Sequence, residues 1–132
     1  MGMITGLEHI GIMAKDPDTL AAWYERVLGF RRIFQTETTP PAVFVAGTTS
    51  GIIEFVPYKN ADEIPTHKDK RMHLALAVED FDQAVHQLQA QGVDLPEVPL
   101  ELFKGGKALF FQDPEGNWLH LIYRPEIPWS LT

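Results

Sequence analysis

Five histidines and no cysteine occur in this chain of 132 residues. Transition-metal chemistry here would therefore rest on imidazole and carboxylate donors, and thiolate ligands, disulfides and a cysteine nucleophile are excluded. Three of the histidines lie in apolar surroundings: His9 in Leu7-Glu8-His9-Ile10-Gly11-Ile12, His73 in Met72-His73-Leu74-Ala75, and His120 between Leu119 and Leu121. Glu54 interrupts Gly51-Ile52-Ile53-Glu54-Phe55-Val56, a run apolar on both faces. A carboxylate in such a place must be ion-paired, protonated or bound to a metal, because burying it ionised and alone is costly. A single strand histidine is usually a core or edge residue. Three of them with one intruding acid form a donor set suited to zinc, nickel, iron(II), cobalt or manganese. His86, on the polar side of its helix with Gln83 and Gln87, and His67, in a charged stretch, read as solvated.

The elements that must position these donors follow from periodicity and punctuation. Ile4 to Ala14 reads as a strand, ended by Lys15-Asp16-Pro17, where Asp16 can cap a helix and Pro17 can open it. Leu20, Trp23, Tyr24, Val27 and Leu28 recur at helical spacing, and Gly29 closes that helix. Strands are predicted at Phe30–Gln35, Ala42–Ala46 and Gly51–Val56. A polar, charged stretch from Tyr58 to Lys70 reads as a linker or flap. The order then restarts, with a strand over Arg71–Val78 and a helix over Asp80–Gln91 closed by Gly92. Further strands are predicted at Val93–Val98, Lys107–Gln112 and Asn117–Tyr123, with Asp113-Pro114-Glu115-Gly116 as the turn before the last.

Each half thus reads strand, helix, three strands, an α+β pattern of two tandem βαβββ modules. His9 and His73 are 64 positions apart, and Glu54 and His120 are 66 apart. Donors that recur at nearly one offset point to duplication of a structural unit. If the halves pack about a pseudo-two-fold axis, the four side chains converge in one cleft. Strand alternation puts Trp118, Ile122 and Phe111 beside His120, and sets Arg71 and Arg124 on the faces of the donors they follow or precede, where they can hold a carboxylate or phosphate.

Composition bounds the partners. The formal net charge is −7, and the most basic stretch, Lys68-Asp69-Lys70-Arg71, is short and mixed with acid. A nucleic-acid partner needs a basic footprint to displace counterions, so a small molecule is the expected partner. No apolar run approaches the roughly 20 residues of a membrane span, and no secretory signal is visible at the start. The expectation is a cytoplasmic protein without nucleic-acid or membrane partners.

The motifs Leu7-Glu8-His9-Ile10-Gly11-Ile12, Trp23-Tyr24 through Leu28-Gly29-Phe30, Met72-His73-Leu74-Ala75 and Phe111-Gln112-Asp113-Pro114-Glu115-Gly116-Asn117-Trp118 resemble the vicinal oxygen chelate superfamily. That superfamily includes glyoxalase I, extradiol dioxygenases, methylmalonyl-CoA epimerase and fosfomycin- and bleomycin-resistance proteins. The resemblance implies a single glyoxalase-like domain over residues 1–132, with modules at about 4–57 and 71–124 forming a cupped mixed sheet with helices outside. It implies one divalent transition metal held by His9, Glu54, His73 and His120, from the first and fourth strands of each module, and glyoxalase-like lyase or isomerase activity on a small oxygen-bearing substrate.

Glyoxalase-I-like members usually carry glutamate at the place of His120, and this chain departs from them there. Glu54 is then the carboxylate that can move a proton, unless His120 leaves the metal and acts as base, so both are catalytic candidates. One carboxylate and three neutral imidazoles leave a divalent site at about +1, favouring an anionic oxygen ligand. His9, His73 and Glu54 also form a 2-His-1-carboxylate set of the kind used by iron-dependent oxygenases, although extradiol-type members usually place the carboxylate where His120 stands. A binding or resistance protein without catalysis is the third reading. The resemblance also implies a homodimer, on which Trp129 and Leu131 are candidates for docking.

Overall fold

The computed structural model describes residues 2–60 and 69–130, and the chain divides into two compact units, residues 1–66 and 67–132. Most of the predicted linker, together with His67 and Leu131, lies outside the described residues. Each unit contains a four-stranded mixed sheet and one α-helix in βαβββ order, so the fold is α+β with two copies of the predicted module.

In the first unit, β1 (Ile10–Ala14) leads into α1 (Pro17–Leu28), followed by β2 (Arg31–Gln35), β3 (Val43–Ala46) and β4 (Ile52–Pro57). The helix begins where the sequence places it: Asp16 accepts from the Thr19 amide at 3.1 Å and from its hydroxyl at 2.8 Å. These bonds hold the Asp16 carboxyl below its ordinary range and satisfy one of the free amides of the first turn. Gly29 ends the helix at φ 73°, a left-handed conformation that glycine adopts without Cβ strain. The sheet order is β1-β4-β3-β2, with β1 parallel to β4 and the other pairs antiparallel.

Alternation turns Val43, Val45, Ile53 and Phe55 toward α1, whose Leu20, Ala21 and Tyr24 are fully covered. The Tyr24 ring meets Phe55 edge-on at 4.9 Å and Phe30 at 5.7 Å, the favoured aromatic geometry. Arg32 on β2 ties the sheet to the helix, donating to Glu25 at 2.8 Å and Asp18 at 2.6 Å.

The second unit repeats the plan with β5 (His73–Ala77), α2 (Phe81–Ala90), β6 (Leu100–Glu101), β7 (Lys107–Gln112) and β8 (Trp118–Tyr123), in sheet order β5-β8-β7-β6. Asp80 caps α2 through the Gln83 amide at 3.0 Å. Phe81 and Leu88 on the helix pack with Leu109, Phe111, Leu119 and Leu121 of the sheet. The turn before β8 is organised by the buried Asp113, which accepts from the amides of Glu115 and Asn117 and from the Asn117 side chain at 2.7 Å. Gly116 completes it at φ 84°.

Three boundaries differ from the sequence reading. Among the described residues the first strand starts at Ile10 rather than Ile4. Ile10 pairs with Ile53 in parallel register, so earlier residues would need partners within the β3–β4 turn, which Gly47 closes by donating to the Gly51 carbonyl. The same logic delays β5 to His73, opposite Trp118, because the chain before Trp118 is the Asp113 turn. No strand forms over Val93–Val98. Pro96 and Pro99 lack the amide donors a ladder needs, and the fourth strand is instead the short β6 at Leu100–Glu101.

Candidate functional site

Each unit brings its two predicted donors together, and by the same geometry. On the parallel pair β1/β4, Glu54 lies opposite Gly11, and His9 stands two residues before that glycine. On β5/β8, His120 lies opposite Ala75, and His73 stands two residues before that alanine. Alternation puts both donors of a pair on the sheet face away from the helix, and the small residue opposite the mid-strand donor leaves room above it.

In the first unit His9 Nε2 lies 3.1 Å from Glu54 Oε1, and His9 Nδ1 lies 2.7 Å from Glu8 Oε1. As an imidazolium the ring donates to both carboxylates. The bond to Glu8, helped by the charges of Glu8 and Glu54 and opposed by partial desolvation, raises the His9 pKa above its ordinary value. Phe44 sets its ring at 5.6 Å from the imidazole. On the Glu8 side, residues Leu7–Ile10, Arg31, Ile33 and the β3–β4 turn line a cleft of about 420 Å³.

In the second unit His73 Nδ1 lies 3.0 Å from the Lys70 carbonyl. A carbonyl only accepts, so the proton is on Nδ1, and in the neutral ring Nε2 carries the lone pair. His120 is 7% exposed, stacks on Phe110 at 4.8 Å and meets His73 nearly perpendicularly at 4.5 Å. Its Nδ1 is buried and has no hydrogen-bond partner among the described residues. Burial first, then the nearby His73 and Arg124, lowers its pKa to about 4.

The other predicted site residues divide. Trp118 is on the His120 face, half-buried, with its ring 6.2 Å from Phe110. Arg124 follows β8 with its guanidinium over Phe103 at 5.0 Å and Trp129 at 5.1 Å, and its charge reaches His120. Phe111 must be corrected: it is 3% exposed and pairs with Leu119 on the helix-facing side, whereas Phe110 pairs with His120. The parity argument miscounted because it did not fix the β7/β8 register. Arg71 also departs from its expected place. It lies in the turn before β5, is 90% exposed and is engaged with Asp69, so strand alternation does not set it on the His73 face. His86 is exposed on α2, as its polar neighbours indicate. The sequence reading missed Glu8, Phe110 and Lys70.

Among the described residues neither unit gathers three or more His, Cys, Asp or Glu into a metal-holding group. The donor chemistry of the pairs nevertheless fits a divalent ion. His73 has its Nδ1 anchored by a carbonyl and His9 by a carboxylate, the arrangement that fixes the tautomer of a ligating histidine. His120 contributes a buried nitrogen without a protein partner, the feature that most needs an external group to explain it.

Opposite environments predict opposite titrations. His120 is expected to take up its proton near pH 4, and His9 above 6.5, in an NMR titration of the ring carbons. A folded pKa below the unfolded one means that the unfolded chain binds the extra proton first. His120 therefore contributes stability that is complete above about pH 6.5 and declines as pH falls toward 4, by on the order of 3 kcal/mol. His9 works the other way, stabilising at low pH and losing that contribution as pH rises through its folded value. A His120 midpoint near 6.5 would contradict its burial.

Comparison with known proteins agrees with the fold. The family model described as Glyoxalase/Bleomycin resistance protein/Dioxygenase superfamily matches residues 6–121. YwkD of Bacillus subtilis (strain 168) is 26% identical over 118 residues, covering 86% of this chain and 92% of that protein. TnmS3, an antibiotic binding protein from Streptomyces sp. CB03234, superposes with a TM-score of 0.75 at 20% identity, covering 94% of this chain and 99% of its own. The fosfomycin resistance protein FosX from Listeria monocytogenes, solved with Mn(II) and sulfate, superposes with a TM-score of 0.68 at 18% identity over 92% of each chain. None of the helices among the described residues is long and apolar enough to cross a membrane. By a family match that spans most of its length, this chain belongs to the Glyoxalase/Bleomycin resistance protein/Dioxygenase superfamily.

Proposed function

We propose that the protein is a metal-dependent enzyme of the vicinal oxygen chelate type, acting on a small substrate with adjacent oxygens by glyoxalase-like lyase or isomerase chemistry. His9, Glu54, His73 and His120 would hold one divalent transition metal, which when bound polarises the substrate oxygens as a Lewis acid. The observation that carries this reading is the repeated donor pair, with the unpartnered Nδ1 of buried His120 in one copy.

Proton movement falls to the first unit. Glu54 is the carboxylate that would take a proton from the hydroxyl-bearing carbon next to the substrate carbonyl, and removal of such a base typically costs 10²–10⁴-fold in rate. With Nε2 toward the metal, His9 would keep its Nδ1 proton on the exposed Glu8, which orients the ring. His120, neutral down to about pH 4, keeps a lone pair available above that pH. Phe44 beside His9 and Phe110 against His120 limit water at the donors.

The test is elemental analysis of purified, stripped and reloaded protein, followed by turnover of hemithioacetals and α-keto acids. The expected result is about one metal per chain and chelator-sensitive turnover, lost in Glu54→Gln. Oxygen uptake with catechols after iron(II) loading would instead assign the dioxygenase branch. A second reading, binding without catalysis, is favoured by the aromatic face around Phe110 and Trp118 and by the likeness to TnmS3. It predicts ligand affinity that survives both His9→Ala and His73→Ala.

A further inference from the structure

The open face of the second unit carries a feature that the donor set does not use. Phe110 and Trp118 meet at 77°, forming an aromatic corner, and the Lys70 ammonium occupies it at 4.6 Å from the Phe110 centroid and 5.1 Å from that of Trp118. Through its main chain, the same residue accepts the His73 Nδ1 proton. The turn before β5 therefore delivers a positive charge to the rings beside His120. Among the described residues, the strand positions sharing this face, from His73 and Ala75 through Trp118, His120, Phe110 and Gln112, include no carboxylate. Arg124 adds a second positive charge within electrostatic reach of His120. Among the described residues, the contacts of the Lys70 ammonium on this face are thus with aromatic rings rather than with a carboxylate. A cation–π contact at an exposed site is a weak resting place that a carboxylate readily outcompetes.

We infer that Lys70 is an anion-binding residue of this face, and that the site takes a small carboxylate carrying a flat, conjugated apolar group. The carboxylate pairs with the Lys70 ammonium, which swings off the rings, and the flat group takes its place in the corner between Phe110 and Trp118. An aryl-substituted α-keto or α-hydroxy acid has both the carboxylate and the neighbouring oxygen that the proposed chemistry needs. The inference rests on that functional reading for the face being the substrate's, but its geometry belongs to the second unit alone.

Calorimetric titration of the chelator-treated full chain with benzoate, its neutral isostere benzamide, and acetate tests this directly. Benzoate is expected to bind at least about tenfold more tightly than either of the others, matching one charge-assisted contact and one ring-on-ring contact. Lys70→Met keeps the stem and the backbone bond to His73 and should lose that advantage. Lys70→Arg should keep most of it, and Trp118→Leu should weaken benzoate but not acetate. Equal binding of benzoate and benzamide, unchanged benzoate affinity in Lys70→Met, or no benzoate binding at millimolar concentration would each overturn the inference. Because metal is absent, failure here with metal-dependent turnover intact removes only the role of Lys70. Lys70-dependent binding in a protein that never takes up metal removes only the enzymatic proposal.

Discussion

His9→Ala and His73→Ala are each expected to weaken divalent-ion affinity by at least the 10–100-fold that loss of a mere outer partner costs, even though the two residues belong to different units. The reason is shared occupancy: if both donor pairs serve one ion, removing a donor from either pair lowers the affinity for the whole ion. Competition against a chromophoric chelator measures this, with the double variant as the decisive case. A single ion predicts one binding phase in every variant. If His73→Ala retained one class of ions at the parent affinity and lost another, each pair would bind on its own, and the shared site would be wrong. Glu8→Gln should follow with a smaller loss, since Glu8 orients His9 through Nδ1 and raises its basicity.

Phe55→Ala is expected to destabilise the first unit by about 3–5 kcal/mol, the range for truncating a buried phenylalanine. That is a large part of the total that a domain of this size holds. Phe55 is fully buried, its neighbours on β3 are Val43 and Val45, and its ring contact with Tyr24 closes the helix onto the sheet. Trp23, 5.4 Å from Tyr24, reports on this packing. Its fluorescence during urea unfolding should show the shifted transition, while Phe55→Leu, which leaves most of the volume, should move it less. A shift under about 0.5 kcal/mol, the size of an ordinary surface substitution, would mean that the helix is held elsewhere. Since Glu54 precedes Phe55 on β4, the alanine variant should also loosen the carboxylate that bonds His9.

The parts of the structure that were legible in the sequence are those decided by local chemistry. Asp16, Pro17 and Gly29 fix α1 to the residue because capping and left-handed glycine are local events. The nearly equal spacing of donors in the two halves revealed the duplicated module before any register was known. Facts that depend on which residue lies opposite which were not legible. The true start of β1 is set by the β3–β4 turn on a neighbouring strand, and the exchange of Phe111 for Phe110 is set by the β7/β8 register. Lys70 escaped notice for a further reason. Nothing in a polar, charged stretch signals that one ammonium will lie on two rings contributed by strands some 40 to 48 positions away.

In both copies the mid-strand donor, Glu54 or His120, is clamped by ladder bonds on both sides, whereas its histidine partner stands at or just before the first paired residue of its strand. Each pair therefore joins a fixed post to a hinged arm. The arm can shift without unzipping the sheet, so a pair holding a cation, as proposed, would adjust to its radius by moving one ring. Such a grip would discriminate poorly by size, and the identity of any ion held there would follow from what the surroundings supply.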